Sequence, residues 1–476
     1  MFFNSQKNKM EKQLAGDFKN AVDKGYENLS DEEKIAISNQ LLQCFPQVTQ
    51  DPLYGDYKGD FSEGVLSGEF YQRYLDIMKL LDGALNTVIY QTQHDQFRMG
   101  IEKIFDTQDY DSVVIFHAGF GWNIDLKQRP QHLAEAMADK KILYIYRASI
   151  IQDDDVYAIK KVKDNLYIAN IDMALLRDIL FEVMDAKQIK NKFVHVYATC
   201  LYDVTYKDIK KYMDRGFKVI YDFVDEISEE ISGVEVTEEL IEDHNRILSN
   251  TEDVLVVSTA DKLKQLADTA RGCEKWSVLA QNGVNLNDFN NLGSEIGKKI
   301  KKIVEMKKPI IGYYGALASW FDYNKMIKLA KERPNYEIVL VGIDYDKTLK
   351  KSGLLDLENV HYLGIVEYKN LIKQYACHFD VCLIPFIKNE ITDATSPVKL
   401  FEYMALGKPV VTTDINECKK YKSCNIASSD EEFVAQVDYA LTLQDNEEYK
   451  KLLRKEAEEN TWLNRAQVIK DAMMNK

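Results

Sequence analysis

The chain has 476 residues, more than one ordinary hydrophobic core needs, so two or three domains are expected. Its 46% hydrophobic and 29% charged residues are those of a globular protein, and a net charge of −15 excludes a general nucleic-acid binder, whose phosphate contacts need a basic face. Seven cysteines, an odd number with no C-x-x-C pair, predict reduced thiols rather than a disulfide framework or a zinc site. No apolar run reaches the ~18–20 residues that cross a bilayer, and the polar, lysine-bearing Met1–Asn20 stretch does not resemble a signal peptide. A cytoplasmic location is the resulting expectation.

In chain order, residues 1–107 read as a helical extension. Ser30 before Asp31, Glu32 and Glu33 is a helix start, Asp51–Gly68 reads as a loop, and a longer helix pattern runs from Glu69 to Phe105. Residues 108–292 then alternate short Val-, Ile- and Tyr-rich runs with amphipathic helices. Strands are predicted at Ser112–His117, Ile142–Tyr146, Phe193–Tyr197, Lys218–Phe223 and Asp253–Ser258, with helices such as Arg129–Ala138 and Val204–Arg215 between them. A second series fills 293–455, with strands at Ile310–Tyr314, Tyr336–Val341, Val360–Tyr362, Val381–Ile384 and Pro409–Thr412. Its helices include Asn324–Glu332, Tyr368–Ala376 and Pro397–Leu406. The lysine-rich Ile296–Lys308 is the candidate linker helix; its charges suit a solvated face better than peripheral membrane contact. Residues 456–476 complete a final helix that begins near Asn446, with Trp462 as a packing anchor. Such alternation implies two doubly wound parallel sheets, an α/β class of two Rossmann-like domains facing a cleft.

Thr392–Asp414, TDATSPVKLFEYMALGKPVVTTD, carries the chemistry. Thr395-Ser396-Pro397 predicts a hydroxyl cap followed by Pro at the first helical turn, with Val398, Lys399 and Leu400 presenting amides to an anion. Lys399 stands in the first turn, where the helix dipole favours an acid, so an anionic ligand is implied. Glu402 shares its face one turn on, placed to accept two ribose hydroxyls while Lys399 holds a diphosphate. Gly407 ends the helix. The bland alternative is a capped surface helix with a Lys399–Glu402 pair.

This segment resembles the donor-binding motif of GT-B glycosyltransferases, especially the bacterial cell-surface polysaccharide group of the family 4, group 1 type, which reads S-P-x-K-x-x-E-Y-x-A-x-G-K-P-V-V. The resemblance implies that Glu402 binds the donor ribose and Lys399 the diphosphate, with Ser396 beside it. Gly312-Tyr313-Tyr314-Gly315-Ala316 is similar to the family's glycine-bearing turn, where Gly315 lets the backbone approach a phosphate, and Asn282-Gly283-Val284 to its N-G-V turn before the linker. Retaining members carry an Arg and a Lys after the glycine turn and a Glu eight positions before the ribose Glu. Here those places hold Ala316, Phe321 and Ala394, which leaves Lys399 as the main cation and does not support a retaining outcome.

In the first Rossmann-like series, Phe116–Ala134 passes from a strand through Gly119, Gly121 and Trp122 into a helix that starts Gln128-Arg129-Pro130-Gln131-His132, similar to an R-P-Q-H helix start in the same group. Arg129 is expected to point its fork into the cleft toward a phosphate or carboxylate, the alternative being a pair with Asp125. Tyr221-Asp222-Phe223-Val224-Asp225 is similar to the family's Y-D-x-x-D. Asp225, just past the strand, is the first candidate base, His117 the second, and Asp222 braces the loop. His195 is expected to pack in a strand. Asp344-Tyr345-Asp346 reads as a helix-start loop rather than a metal-binding D-x-D, and neither a metal nor another cofactor is expected.

The expected activity is transfer of a sugar from a nucleoside diphosphate sugar, UDP by resemblance, to a hydroxyl of a glycan or lipid-linked acceptor, in the cytoplasm or at the inner face of the membrane. The alternatives are a UDP-sugar epimerase of similar fold and a non-catalytic glycosyltransferase-like scaffold. A dinucleotide oxidoreductase would need G-x-G-x-x-G after a strand, which the sequence lacks.

Overall fold

Ser112–Phe116 (β1) is buried at all five positions, as a strand in a sheet covered on both faces must be. Around it the computed structural model places Ile142–Arg147 (β2), Ile159–Lys163 (β3), Leu166–Ala169 (β4), Lys192–Tyr197 (β5), Lys218–Phe223 (β6), Val254–Ser258 (β7) and Ser277–Leu279 (β8). The structure describes residues 94–124, 127–149, 156, 158–229, 235–293 and 295–475, together with 30, 32 and 33. The expected helix start after Ser30 is present: Ser30 Oγ accepts the Glu33 amide at 3.2 Å, Glu33 Oε2 accepts the Ser30 amide at 2.9 Å, and Glu32 and Glu33 are helical. The loop Asp51–Gly68, most of the helix predicted from Glu69, and Asp125 lie outside the described residues; 94–107 is helical. The chain divides into residues 1–96 and 97–476, and both sheets belong to the second unit.

The first sheet runs β3-β4-β2-β1-β5-β6-β7-β8. Every pairing is parallel except β3 with β4, a hairpin that the strand prediction missed. Lys160, Lys161 and Lys163 make β3 an edge strand, mostly in contact with water, with no apolar alternation to announce it. Side chains alternate across the sheet. Val113 and Ile115 join a core with helices Ala174–Ala186, Tyr206–Met213 and Asp261–Arg271. Val114 and Phe116 face the opposite core, built with Leu133 and Met137 of the Arg129–Asp139 helix and with Trp462, Ala466 and Ile469 near the chain's end.

The second sheet contains Ile310–Tyr314 (β9), Glu337–Val341 (β10), Val360–Tyr362 (β11), Val381–Ile384 (β12), Val410–Thr413 (β13) and Cys424–Ala427 (β14), ordered β11-β10-β9-β12-β13-β14 and parallel throughout. The strand order reverses beside β9 and β12, and such a switch point opens a crevice at the carboxyl ends of the strands.

Two expectations are corrected. Ile296–Lys308 is helical only at Lys301–Glu305, and Ile300 and Ile303 are buried in the second core. The segment is therefore packed, not a free linker. The expected single C-terminal helix is two, Glu447–Glu459 and Trp462–Met474, broken where Thr461 caps the second through the Asn464 amide. The first packs on Val398–Ala405; the second crosses to the Arg129–Asp139 helix of the other sheet. Trp462 is the anchor expected, stacked on His132 with ring centroids 5.2 Å apart.

Candidate active site

A cleft of about 780 Å³ lies between the carboxyl ends of the two sheets. On one side it is lined by Gly315, Ser396, Pro397, Val398, Lys399 and Glu402, all six donor-site residues read from the sequence. Gly315 follows β9 with φ +137°, and Gly342 follows β10 with φ +142°. A Cβ on Gly342 would stand 1.9 Å from the Gly315 carbonyl oxygen, and one on Gly315 would stand 2.9 Å from Lys399 Cε. The two turns thus lie against each other, with the lysine beneath them.

The predicted hydroxyl cap is not made. Pro397 is the flanking residue, the helix runs Val398–Ala405, and no side chain caps it. Thr395 Oγ1 donates to the Ile391 carbonyl and lies 3.3 Å from Asp225 Oδ1, while Ser396 Oγ accepts the Asn282 amide. Contacts with the other sheet take both hydroxyls. Leu400, expected to offer its amide, gives it to the Pro397 carbonyl at 3.1 Å. The Val398 and Lys399 amides have no acceptor within the helix.

Lys399 Nζ lies 4.9 Å from the Phe386 ring centroid and 5.3 Å from that of Tyr313. Among the described residues it has no ion pair or hydrogen bond; its ammonium rests against aromatic faces. Burial pushes its pKa down to about 8, against the opposing pull of Glu402. Phe321, which the resemblance set at the place of a cation, is fully buried edge-on to Tyr313, 4.8 Å between centroids. It extends the aromatic bed rather than adding charge. Ala316 lines the cleft.

Glu402 is 4% exposed. Tyr368 donates to its Oε1 at 2.6 Å and Tyr314 to its Oε2 at 2.8 Å. Burial raises its pKa, while the two hydroxyls and Lys399 pull the other way. Among the described residues no other side chain donates to this carboxylate. Sequence reasoning missed both tyrosines. Tyr314 was visible only as part of the glycine turn, and nothing in the sequence links Tyr368 to Glu402.

Across the cleft, Asp225 lies just beyond β6, where burial raises its pKa to about 7 and Thr395 and Arg129 oppose the shift. Arg129 reaches the cleft, but its fork is committed: Nε and the adjacent amino group bond both oxygens of Asp222 at 2.9–3.1 Å, and Nη1 donates to the Gln281 carbonyl and Asn282 Oδ1. Both side chains are at most 2% exposed. Burial opposes ionisation of Asp222, yet Arg129 and His195 hold its pKa below the usual range. The pair braces the strand end, and the expectation of a free anion-binding fork is corrected.

His117 is not among the cleft's described lining residues; its Nδ1 is 2.9 Å from Tyr212 Oη, on the face of the sheet away from Arg129. Gly121 and Trp122 are likewise outside the lining. The Gly121 carbonyl accepts from Gln131, and Trp122 packs edge-on to Tyr146. Their loop presents Gly119, Phe120 and Ile124 instead. His195 packs in β5 with Nδ1 2.7 Å from Tyr144 Oη, as expected.

Asn282 joins the two halves, its Nδ2 donating to the Ser396 carbonyl at 2.6 Å. Gly283 next to it lets the Asn460–Trp462 backbone pass; a Cβ there would stand 2.9 Å from the Asn460 oxygen. Asp344 and Asp346 accept the amides of Leu349, Thr348 and Ser319, which makes this segment the helix-start loop predicted.

Residues 308–442 match the family Glycosyl transferases group 1. The putative teichuronic acid biosynthesis glycosyltransferase TuaH of Bacillus subtilis is 24% identical over 261 residues, 52% of this chain and 64% of TuaH, so the match spans just under two thirds of that relative. Anabaena HepE, solved with UDP and glucose, superposes with a TM-score of 0.54 at 13% identity, covering 77% of this chain and all of HepE. The α,α-trehalose 6-phosphate synthase of Burkholderia multivorans gives 0.54 at 10% identity over 77% of this chain and 98% of its own. With its two facing α/β sheets the chain has the GT-B fold of these solved structures, and the stretch from β9 to β14 is the part that matches the Glycosyl transferases group 1 model.

Proposed function

We propose that this protein is a glycosyltransferase that moves a sugar from a nucleoside diphosphate sugar, with UDP as the nucleotide, to a hydroxyl of a saccharide or cell-surface glycan acceptor. One observation carries the reading. Lys399, in the first turn of an uncapped helix, faces the cleft without an ion pair among the described residues. A cation held out of water against aromatic faces is costly unless an anion joins it. The Val398 and Lys399 amides add donors and the helix dipole adds partial charge at the same place. Glu402, one turn further and buried, gives the nucleoside ribose its acceptor.

In this scheme the departing diphosphate is stabilised by Lys399 and the helix amides. Asp225, with a pKa near working pH, takes the proton from the acceptor hydroxyl as it attacks the anomeric carbon. The C–O bond to the acceptor forms as the bond to the diphosphate oxygen breaks. No step requires a metal ion. The UDP held by HepE and the teichuronic acid pathway named for TuaH support the nucleotide and an envelope glycan as product.

The test is calorimetry of Lys399→Ala with UDP and with uridine. UDP affinity should fall by about 1.5–3 kcal/mol, the value of a charged hydrogen bond, while uridine affinity stays within error. Equal weakening of both ligands would remove the diphosphate from Lys399.

A further inference from the structure

We propose that Tyr368 is a two-position residue of the donor pocket: its hydroxyl holds Glu402 while the pocket is empty, then yields that oxygen to a ribose hydroxyl and turns to a ring nitrogen of His132. This rests on the nucleotide-sugar reading and adds a specificity-determining residue to it.

The two partners of Glu402 differ in freedom. Tyr314 ends β9, is 3% exposed, packs edge-on to Tyr403 at 4.9 Å and donates its amide to the Tyr403 hydroxyl. It is a fixed brace. Tyr368 is partly exposed on the cleft and begins an irregular stretch: one helical turn at Tyr368–Asn370, a π-helical turn at Leu371–Tyr375, then a 3₁₀ turn at Ala376–His378. The Lys373 and Gln374 carbonyls accept from the Gly293 and Gly297 amides. Single π turns of this kind are held at functional sites against their poorer hydrogen bonding. At 2.6 Å from Oε1, the Tyr368 hydroxyl occupies a position suited to a ribose hydroxyl.

Tyr368 also has a ring neighbour. The His132 ring lies edge-on to it, 5.9 Å between centroids. His132 is 2% exposed, and neither ring nitrogen has a hydrogen-bond partner among the described residues. Burial holds the imidazole neutral, so one nitrogen accepts. Stacking on Trp462 fixes the ring. A buried ring whose nitrogens have no partner among the described residues, in ring contact with Tyr368, is the second position we assign to its hydroxyl.

Calorimetry on the full chain with UDP and 2′,3′-dideoxy-UDP tests this. In Tyr368→Phe the ribose has no competitor, so UDP should bind about three- to tenfold tighter, with dideoxy-UDP unchanged. Unchanged or weaker UDP binding in a variant that melts cooperatively would overturn the proposal, because a fixed ribose contact predicts loss. His132→Phe keeps the stacked ring and should weaken UDP but not dideoxy-UDP; an equal effect on both overturns the second position, and this variant decides alone if Tyr368→Phe does not fold. Failure of the unaltered protein to bind UDP would instead sink the nucleotide reading, which separates the two failures.

Discussion

Lys399 and Asp225 face the cleft with pKa values pushed toward neutrality, and each predicts a pH signature. Burial lowers Lys399 to about 8, below its unfolded value, so the folded protein binds this proton less tightly than the unfolded chain. An anion beside it restores the charge. UDP binding between about pH 8 and 9 should therefore take up a proton, visible as a binding enthalpy that changes with buffer ionisation enthalpy. Lys399→Met should abolish that dependence, and a persistent uptake would assign the proton elsewhere. Asp225 behaves oppositely: burial raises it to about 7, so the folded state holds the proton more tightly, and the stability it contributes is lost as pH rises from about 4 through 7. A base must be ionised and Lys399 charged, so kcat/KM should climb through about pH 7 with Asp225 and fall again above about pH 8 as Lys399 loses its proton. Asp225→Asn should remove the rising limb and cut transfer by about a hundredfold or more, with UDP affinity retained; normal turnover would exclude Asp225 as the base.

At the level of elements, the two glycine turns above β9 and β10 are distinguishable by what a methyl group would strike. In Gly342→Ala the new carbon meets backbone, the Gly315 carbonyl, at a φ that L-residues rarely adopt, and the loss of stability should exceed about 3 kcal/mol. Gly315→Ala meets a flexible lysine end instead, so it should cost less in melting temperature and more in UDP affinity. Reversal of that order would refute the stacked-turn geometry. All the strands that bury both faces except the four-residue β4 were legible in the sequence to within a residue, because continuous Val, Ile and Tyr runs have few other homes. Those missed, β3, β4, β8 and β14, are short or polar and gain their place from neighbours. The donor helix was legible as well, but its cap was not. Thr395 and Ser396 make bonds to chain 170 and 114 residues away, a competition that local spacing cannot reveal. For the same reason Arg129 read as a free fork, although Asp222, 93 residues on, holds it.

For residues 97–476 as a whole, the chain's return path ties the two sheets together. Glu447–Glu459 packs on the donor helix, the backbone crosses at Asn460–Thr461 over Gly283, and Trp462–Met474 covers one face of the first sheet. Trp462 is 3% exposed between His132 and the Arg129 guanidinium, 5.9 Å from its ring centroid. Trp276 Nε1 donates to the Ala472 carbonyl at the far end of the same helix. The first sheet therefore completes its core with residues supplied after the second has been built, and the halves should melt together. Ending the chain at Asn460 removes that cover and leaves the second sheet's core unbroken, since Leu453 and Ala457 stay in place. Scanning calorimetry of this truncated chain should show two transitions, with the first sheet unfolding at the lower temperature. Trp462→Ala should keep one transition and lose about 3–5 kcal/mol, the range for emptying a buried aromatic site. A single unshifted transition in the truncated chain would mean that the last helix covers the sheet without stabilising it, and that the Asn282–Ser396 seam alone couples the two halves.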